Sequence, residues 1–129
     1  MMTVLIDEIR LFWEGPIRGC RETKFSNGGQ HFFCIQGPNI QIISTWTFES
    51  ICALKGHTNN VKSAVWSSDD SRLLSFSIDG TVIEWNVQTQ KKNWEVYIKN
   101  VVLSSVAYGP DGRTVYIVGN DGFIRVRVT

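Results

Sequence analysis

His57, Ser75, Asp79 and Trp85 are the residues of this 129-residue chain whose types and spacing could do chemistry. Ser, His and Asp together suggest hydrolysis, in which imidazole takes the hydroxyl proton and a carboxylate orients the ring. That chemistry needs an accessible nucleophile, oxyanion donors and a substrate cleft. None is signalled. There is no Gly-x-Ser-x-Gly elbow, and Ser75 lies inside the apolar run Leu73-Leu74-Ser75, where a strand would bury it.

The elements that must position these residues run from Gly56-His57 to Trp85-Asn86. An alternating run (Val61, Ala64, Val65, Trp66) leads into the polar turn Ser67-Ser68-Asp69-Asp70, and Leu73-Leu74-Ser75 follows. After the turn Ile78-Asp79-Gly80 comes Thr81-Val82-Ile83-Glu84-Trp85, so the segment reads as three short strands with a tight reversal between each pair. The pattern recurs along the chain. Phe25-Ser26-Asn27-Gly28-Gly29, Trp66-Ser67-Ser68-Asp69-Asp70 and Tyr108-Gly109-Pro110-Asp111-Gly112 each place an aromatic residue before a polar turn, starting at 25, 66 and 108, at intervals of 41 and 42. A period in the low forties with several strand-length runs is the spacing of a four-stranded propeller blade. A helical repeat of similar length fails, because the runs alternate with period two and are rich in Val, Ile, Phe, Trp and Thr.

The expected fold class is therefore all-β: a partial propeller of about three four-stranded antiparallel blades, not closed within this chain. Residues 2–14 would end a preceding blade, with strands at 2–6 and 9–14. Blade A (17–54) would hold strands at 21–25, 30–36, 40–44 and 49–54, with Ile43 at the position of Trp85. Blade B (55–99) would hold strands at 61–66, 72–76, 81–85 and 94–99. Blade C (101–129) would hold three, at 102–108, 113–118 and 123–128, with Asp121-Gly122 in step with Asp79-Gly80 and Arg127 at the tryptophan position. Closed propellers use roughly four to eight blades, so an arc of three leaves apolar terminal faces to be covered by another chain or by the rest of a longer protein.

Composition narrows the function classes. A formal net charge of +1, with no basic run beyond Lys91-Lys92, argues against a nucleic-acid surface. The longest uncharged stretch, from His31 to Phe48, is broken by Gly37-Pro38-Asn39, which argues against a membrane span. Cys20, Cys34 and Cys52 show no CxxC and no paired histidines, and read as free thiols in a reducing compartment. No metal site, cofactor motif or targeting element is expected.

The Gly-His, the Asp before a tight turn and the terminal Trp85 resemble a WD repeat, with Asn86 in place of the final aspartate. In that family the equivalents of Trp85, Ser75, His57 and Asp79 form a hydrogen-bonded structural network, which the resemblance implies here. Ile17 to Glu22, the Ser26-Asn27-Gly28-Gly29 turn, Leu54 to Thr58 and Val65 to Ser71 resemble more narrowly a family of WD-repeat proteins of the ciliary and flagellar axoneme. That likeness implies a non-catalytic cytoplasmic scaffold on doublet microtubules, with partners among axonemal proteins, tubulin or dynein-regulatory subunits. The alternative is a WD-repeat adaptor presenting substrates or cargo to a ubiquitin ligase or trafficking complex.

Candidate partner contacts are Asn59 and Asn60 in the loop after His57, and Arg125 and Arg127. The loop would share one rim with the turns at 37–39, 78–79 and 120–121. The arginines alternate with Ile124, Val126 and Val128, so one strand face is basic and the other apolar. They are either solvated or a docking patch for an acidic partner. Most aromatic residues should be core, with Trp13, Trp46 and Trp94 free to act as interface anchors. His31, beside Phe32 and Phe33, reads as an ordinary strand residue.

Overall fold

The computed structural model describes residues 19–128, and the strands expected at 2–6 and 9–14 lie outside them. The described residues form eleven strands: β1 (Thr23–Phe25), β2 (His31–Gln36), β3 (Asn39–Ser44), β4 (Ser50–Lys55), β5 (Val61–Trp66), β6 (Arg72–Ser77), β7 (Thr81–Asn86), β8 (Lys91–Tyr97), β9 (Leu103–Tyr108), β10 (Thr114–Gly119) and β11 (Ile124–Val128). They make three antiparallel meanders, β1-β2-β3-β4, β5-β6-β7-β8 and β9-β10-β11, and none closes on itself. The all-β, unclosed arc expected from the 41- and 42-residue intervals is what the described residues form.

Burial follows from stacking one sheet on the next. Strands β6 and β7 are covered on both faces, so their apolar residues run nearly without interruption. Side chains one residue apart point to opposite neighbours. Leu73, Ile83 and Trp85 pack towards blade A with Phe33, Ile35, Ile40, Ile42 and Leu54. Leu74, Phe76 and Val82 pack towards blade C with Leu103, Val106, Val115 and Ile117. Each fully buried Leu, Ile or Val contributes about 1.5–3 kcal/mol relative to its exposed state, so these two seams supply the main cohesion of the arc.

Polar side chains cross the same seams and end on main-chain carbonyls. Arg21 Nη1 donates to Val61 O at 3.2 Å, and one blade later Lys62 Nζ donates to Leu103 O at 2.9 Å. Trp66 Nε1 donates to Lys24 O at 3.1 Å, and Arg72 Nη2 donates to Gly112 O at 2.6 Å. Asp70, held at φ 63° in the β5–β6 turn, receives the Asn27 amide, the Asn27 side chain and the Gly28 amide at 2.8–2.9 Å. One carboxylate therefore caps the β1–β2 turn of the neighbouring blade.

Two glycines are required by their surroundings. Gly80 has φ +93°, and a Cβ there would strike the Ile98 carbonyl. Gly56 would drive a Cβ into the Trp85 ring and the Lys92 side chain, so the residue before His57 must be bare.

The structure corrects several expectations. The outer strand of blade B is Lys91–Tyr97 rather than 94–99, because Asn86 pairs with Lys91 and Gln90, at φ 63°, closes a short turn through Gln90 N to Asn86 O at 2.8 Å. The first strand of blade A begins at Thr23 rather than 21. Cys20 and Cys34 are not free thiols: they form a disulfide across a Cα separation of 5.5 Å, which the antiparallel pairing of β1 and β2 brings about despite the 14-residue spacing. Cys52 alone is a free cysteine among the described residues, and burial raises its thiol pKa.

Candidate functional site

The loop between β4 and β5 carries His57 over the edge of blade B, where β6 presents Ser75 and β7 presents Trp85 from adjacent strands. Ser75 and Trp85 are essentially inaccessible, and His57 is 6% exposed. Trp85 Nε1 donates to Ser75 Oγ at 2.9 Å, and Ser75 Oγ lies 2.7 Å from His57 Nε2. Burial lowers the His57 pKa to about 4, against the opposing pull of Asp79 and Glu95, so the ring is neutral at physiological pH. Among the described residues His57 Nδ1 has no hydrogen-bond partner.

Asp79 lies apart from that trio and holds its own turn. It receives the Ser77 hydroxyl, the Thr81 amide at 3.1 Å and the Thr58 hydroxyl at 3.3 Å. Burial would raise the Asp79 pKa, but these hydrogen bonds leave it below the usual carboxylate range. The Asp79 carboxylate thus ties the loop before β5 to the turn before β7 through Thr58. His57, Ser75 and Trp85 come together, and Asp79 does not hydrogen-bond His57. Ser75 is sealed from solvent with its oxygen already engaged, so no substrate can approach it.

A second polar cluster escaped sequence reasoning. Glu84, 3% exposed, receives Tyr108 Oη at 2.8 Å, Asn93 Nδ2 at 2.9 Å and Arg72 Nη1 at 3.4 Å. The Arg72 guanidinium also lies 5.0 Å from the centre of the Tyr108 ring. Burial, then the hydrogen bond to Glu84 and its charge, push the Tyr108 hydroxyl pKa far up. The only sequence signal was a charged residue in an otherwise apolar strand, Thr81-Val82-Ile83-Glu84-Trp85.

The outer surfaces hold the other candidates. Asn59 and Asn60 are exposed, and the Asn60 carbonyl receives the Ile78 amide at 3.0 Å while Gly37 O receives the Val61 amide at 2.8 Å. Three of the four rim segments therefore meet at one place. Trp46, 85% exposed, stands free on the β3–β4 turn. Arg125 and Arg127 are half-buried, while Ile124, Val126 and Val128 on the opposite face of β11 are 57–70% exposed. Among the described residues the more exposed face of β11 is thus the apolar one. Arg125 pairs with Asp121 at 2.6 Å, and Arg127 stacks 4.5 Å from the centre of the Trp94 ring on β8. Among the described residues no group of three His, Cys, Asp or Glu side chains is placed to hold a metal ion.

Comparison with known proteins adds three findings. Residues 48–86 match the family model described as "WD domain, G-beta repeat". The chain is 45% identical over 121 residues to cilia- and flagella-associated protein 57 of Mus musculus, an alignment covering 94% of this chain, and 35% identical over 127 residues to cilia- and flagella-associated protein 57 C of Tetrahymena thermophila, covering 88%. It spans about 10% of the length of either relative. Among solved structures, the β-propeller domain of Myceliophteria thermophila Cps50 (Swd1) superposes with a TM-score of 0.74 at 19% identity, over 85% of this chain and 37% of that one.

Proposed function

The chain belongs to the WD-repeat β-propeller family, and from that premise we propose that it is a non-catalytic scaffold holding proteins together in a ciliary or flagellar assembly. The observation that carries this reading is the 45% identity to a cilia- and flagella-associated protein over 94% of the chain. The geometry supports a non-catalytic role. The His57–Ser75 contact is spent on a buried indole, while loops and turns of consecutive blades converge at Asn60, Gly37 and Ile78 on a rigid frame. The axonemal doublet microtubule and its dynein-regulatory assembly are the proposed setting. Trp46 and the loop at Asn59 and Asn60 are proposed as contact points, because an exposed tryptophan on a fixed turn and exposed amides on a held loop suit protein recognition.

Salt-washed ciliary doublets mixed with the purified chain test the reading. It should sediment with doublets and be released by raised salt, and Trp46→Ala or Asn59→Ala with Asn60→Ala should weaken the retention several-fold. Equal recovery with doublets and with an unrelated polymer such as F-actin would overturn it.

A further inference from the structure

The turn between β1 and β2 holds a chemically fragile pair. Asn27 is the one asparagine of the chain that precedes a glycine, and both Asn27 and Gly28 are exposed. The main-chain nitrogen that follows an asparagine can attack its side-chain carbonyl carbon, and glycine, lacking a Cβ, leaves that nitrogen open. Each nitrogen that this reaction would use is engaged here. Gly28 N, the nucleophile, donates to Asp70 Oδ2 at 2.8 Å. Asn27 Nδ2, the leaving nitrogen, donates to Ser67 O and to Asp70 Oδ1, both at 2.9 Å, and Asn27 N donates to the same Oδ1 at 2.8 Å. All these acceptors sit in the β5–β6 turn, so the contact joins the two blades whose four strands are all described.

We propose that Asn27 is a deamidation site gated by Asp70, and that its conversion frees the turn of blade A from blade B in one direction only. While the contact is closed, the Asp70 charge beside Gly28 N disfavours the amide anion that must attack. Both Nδ2 hydrogens are tied, which keeps the Asn27 side chain from swinging onto the Gly28 nitrogen. Burial would raise the Asp70 pKa, but hydrogen bonds from Gly28 and Asn27 leave it below the usual carboxylate range, so the group is a weak base for the Gly28 proton. Once the contact opens, Gly28 N gives its proton to solvent and bonds to Asn27 Cγ, while Nδ2 gains a proton and leaves as ammonia. Water then opens the succinimide at either carbonyl, giving aspartate or isoaspartate. The sum is amide plus water to carboxylate plus ammonium, with no change of oxidation state. The new carboxylate meets Asp70 and the Ser67 carbonyl with no hydrogen to offer, so two attractive contacts become repulsive. This chemistry needs no partner and stands apart from the ciliary reading.

The test incubates the purified 129-residue chain at mildly alkaline pH. Peptide mass spectrometry follows conversion of Asn27, and an isoaspartyl methyltransferase assay identifies the isoaspartate product. Asn27 should convert at least tenfold more slowly in the folded chain than in the chain held unfolded in urea. Asp70→Ala should remove most of that protection. Asp70→Asn, which suits the left-handed backbone at φ 63° but lacks the charge, should raise the folded rate several-fold and decides the matter if Asp70→Ala exposes the β6 and β7 amides to exchange. Adding Gly28→Ala to Asp70→Asn should slow conversion again, because the methyl group shields the nitrogen and meets first the flexible end of the Gln30 side chain. Asn27→Asp should speed hydrogen exchange at the Gly28 amide at least tenfold. Equal rates in the folded and unfolded chain, or a rate that Asp70→Asn leaves unchanged, overturns the gating. A slower rate in Asp70→Asn also overturns it, since Asp70 would then be the base that drives the reaction. Unaltered exchange in Asn27→Asp overturns the one-way release.

Discussion

The Ser75 hydroxyl oxygen accepts the indole N–H of Trp85 at 2.9 Å, at a point where neither group can reach water. The same oxygen meets His57, so three residues from two strands and a loop converge on one atom. Ser75→Ala should therefore strand a buried N–H and an imidazole nitrogen, destabilising the chain by about 1–3 kcal/mol. Equilibrium denaturation in urea measures it. A change below a few tenths of a kcal/mol would show that the contact contributes nothing. Asp79→Ala should act differently, loosening Ser77, Thr58 and Thr81 without altering the environment of Trp85, as near-ultraviolet circular dichroism would report.

Acid should weaken the fold through His57. Its pKa is lowered in the folded chain from 6.5 to about 4, so protons bind the unfolded chain first as pH falls. The full contribution is present above about pH 6.5 and is lost progressively down to about pH 4, an effect on the order of 3 kcal/mol. Melting temperature should drop over that window, and His57→Gln should flatten the slope within it. Asp69 and Asp111, whose carboxyls hydrogen bonds hold down to about 2, act only at lower pH.

Glu84 is the buried charge that joins blade B to blade C. Arg72→Met removes its cation and also the donor to Gly112 O, and should cost about 3 kcal/mol or more, because an uncompensated buried charge is far worse than none. Adding Glu84→Gln to that variant should recover part of the loss. A double-mutant cycle in urea decides the matter, and strict additivity would mean that the two side chains are independent.

Asp70 holds the neighbouring turn through three donors, including the Gly28 amide at 2.8 Å. With Asp70→Ala, hydrogen exchange at the amides of Asn27 and Gly28 should accelerate at least tenfold while the amides of β6 and β7 keep their protection. Uniform acceleration everywhere would indicate global destabilisation and not a local latch.

Thiol counting checks the cysteines. Denatured without reductant, the chain should expose one reactive thiol, from Cys52, and after reduction all three. Three reactive thiols before reduction would show that Cys20 and Cys34 are unpaired.

Much of the fold was legible because it is periodic. The Asp-Gly pairs at 79–80 and 121–122 and the aromatic residues at 25, 66 and 108 mark turns and strand ends, features fixed by local backbone chemistry. What was hidden depends on which face of a strand meets which neighbour. Alternation in Ile124 to Val128 reveals two faces but not which one the neighbouring blade covers, and the structure turns the arginines inward, Arg127 against Trp94 and Arg125 towards Asp121. The Cys20–Cys34 pairing and the Glu84 cluster are likewise contacts across strands or seams, which spacing along one chain does not encode. In the trio around Ser75 the residue types were readable, but whether His57 or Thr58 would reach Asp79 depended on a rotamer.

The joints between blades have one further meaning. At each seam a long cationic side chain grips its neighbour's peptide carbonyl: Arg21 takes that of Val61, and Lys62 that of Leu103. A peptide oxygen is present whatever residue occupies the receiving position, so mutation there cannot erase it. A repeat can drift far from the motif and still be joined to its neighbour: the one with Ile43 in place of a tryptophan keeps Arg21, the gripping residue. Heredity need guard only the gripping side.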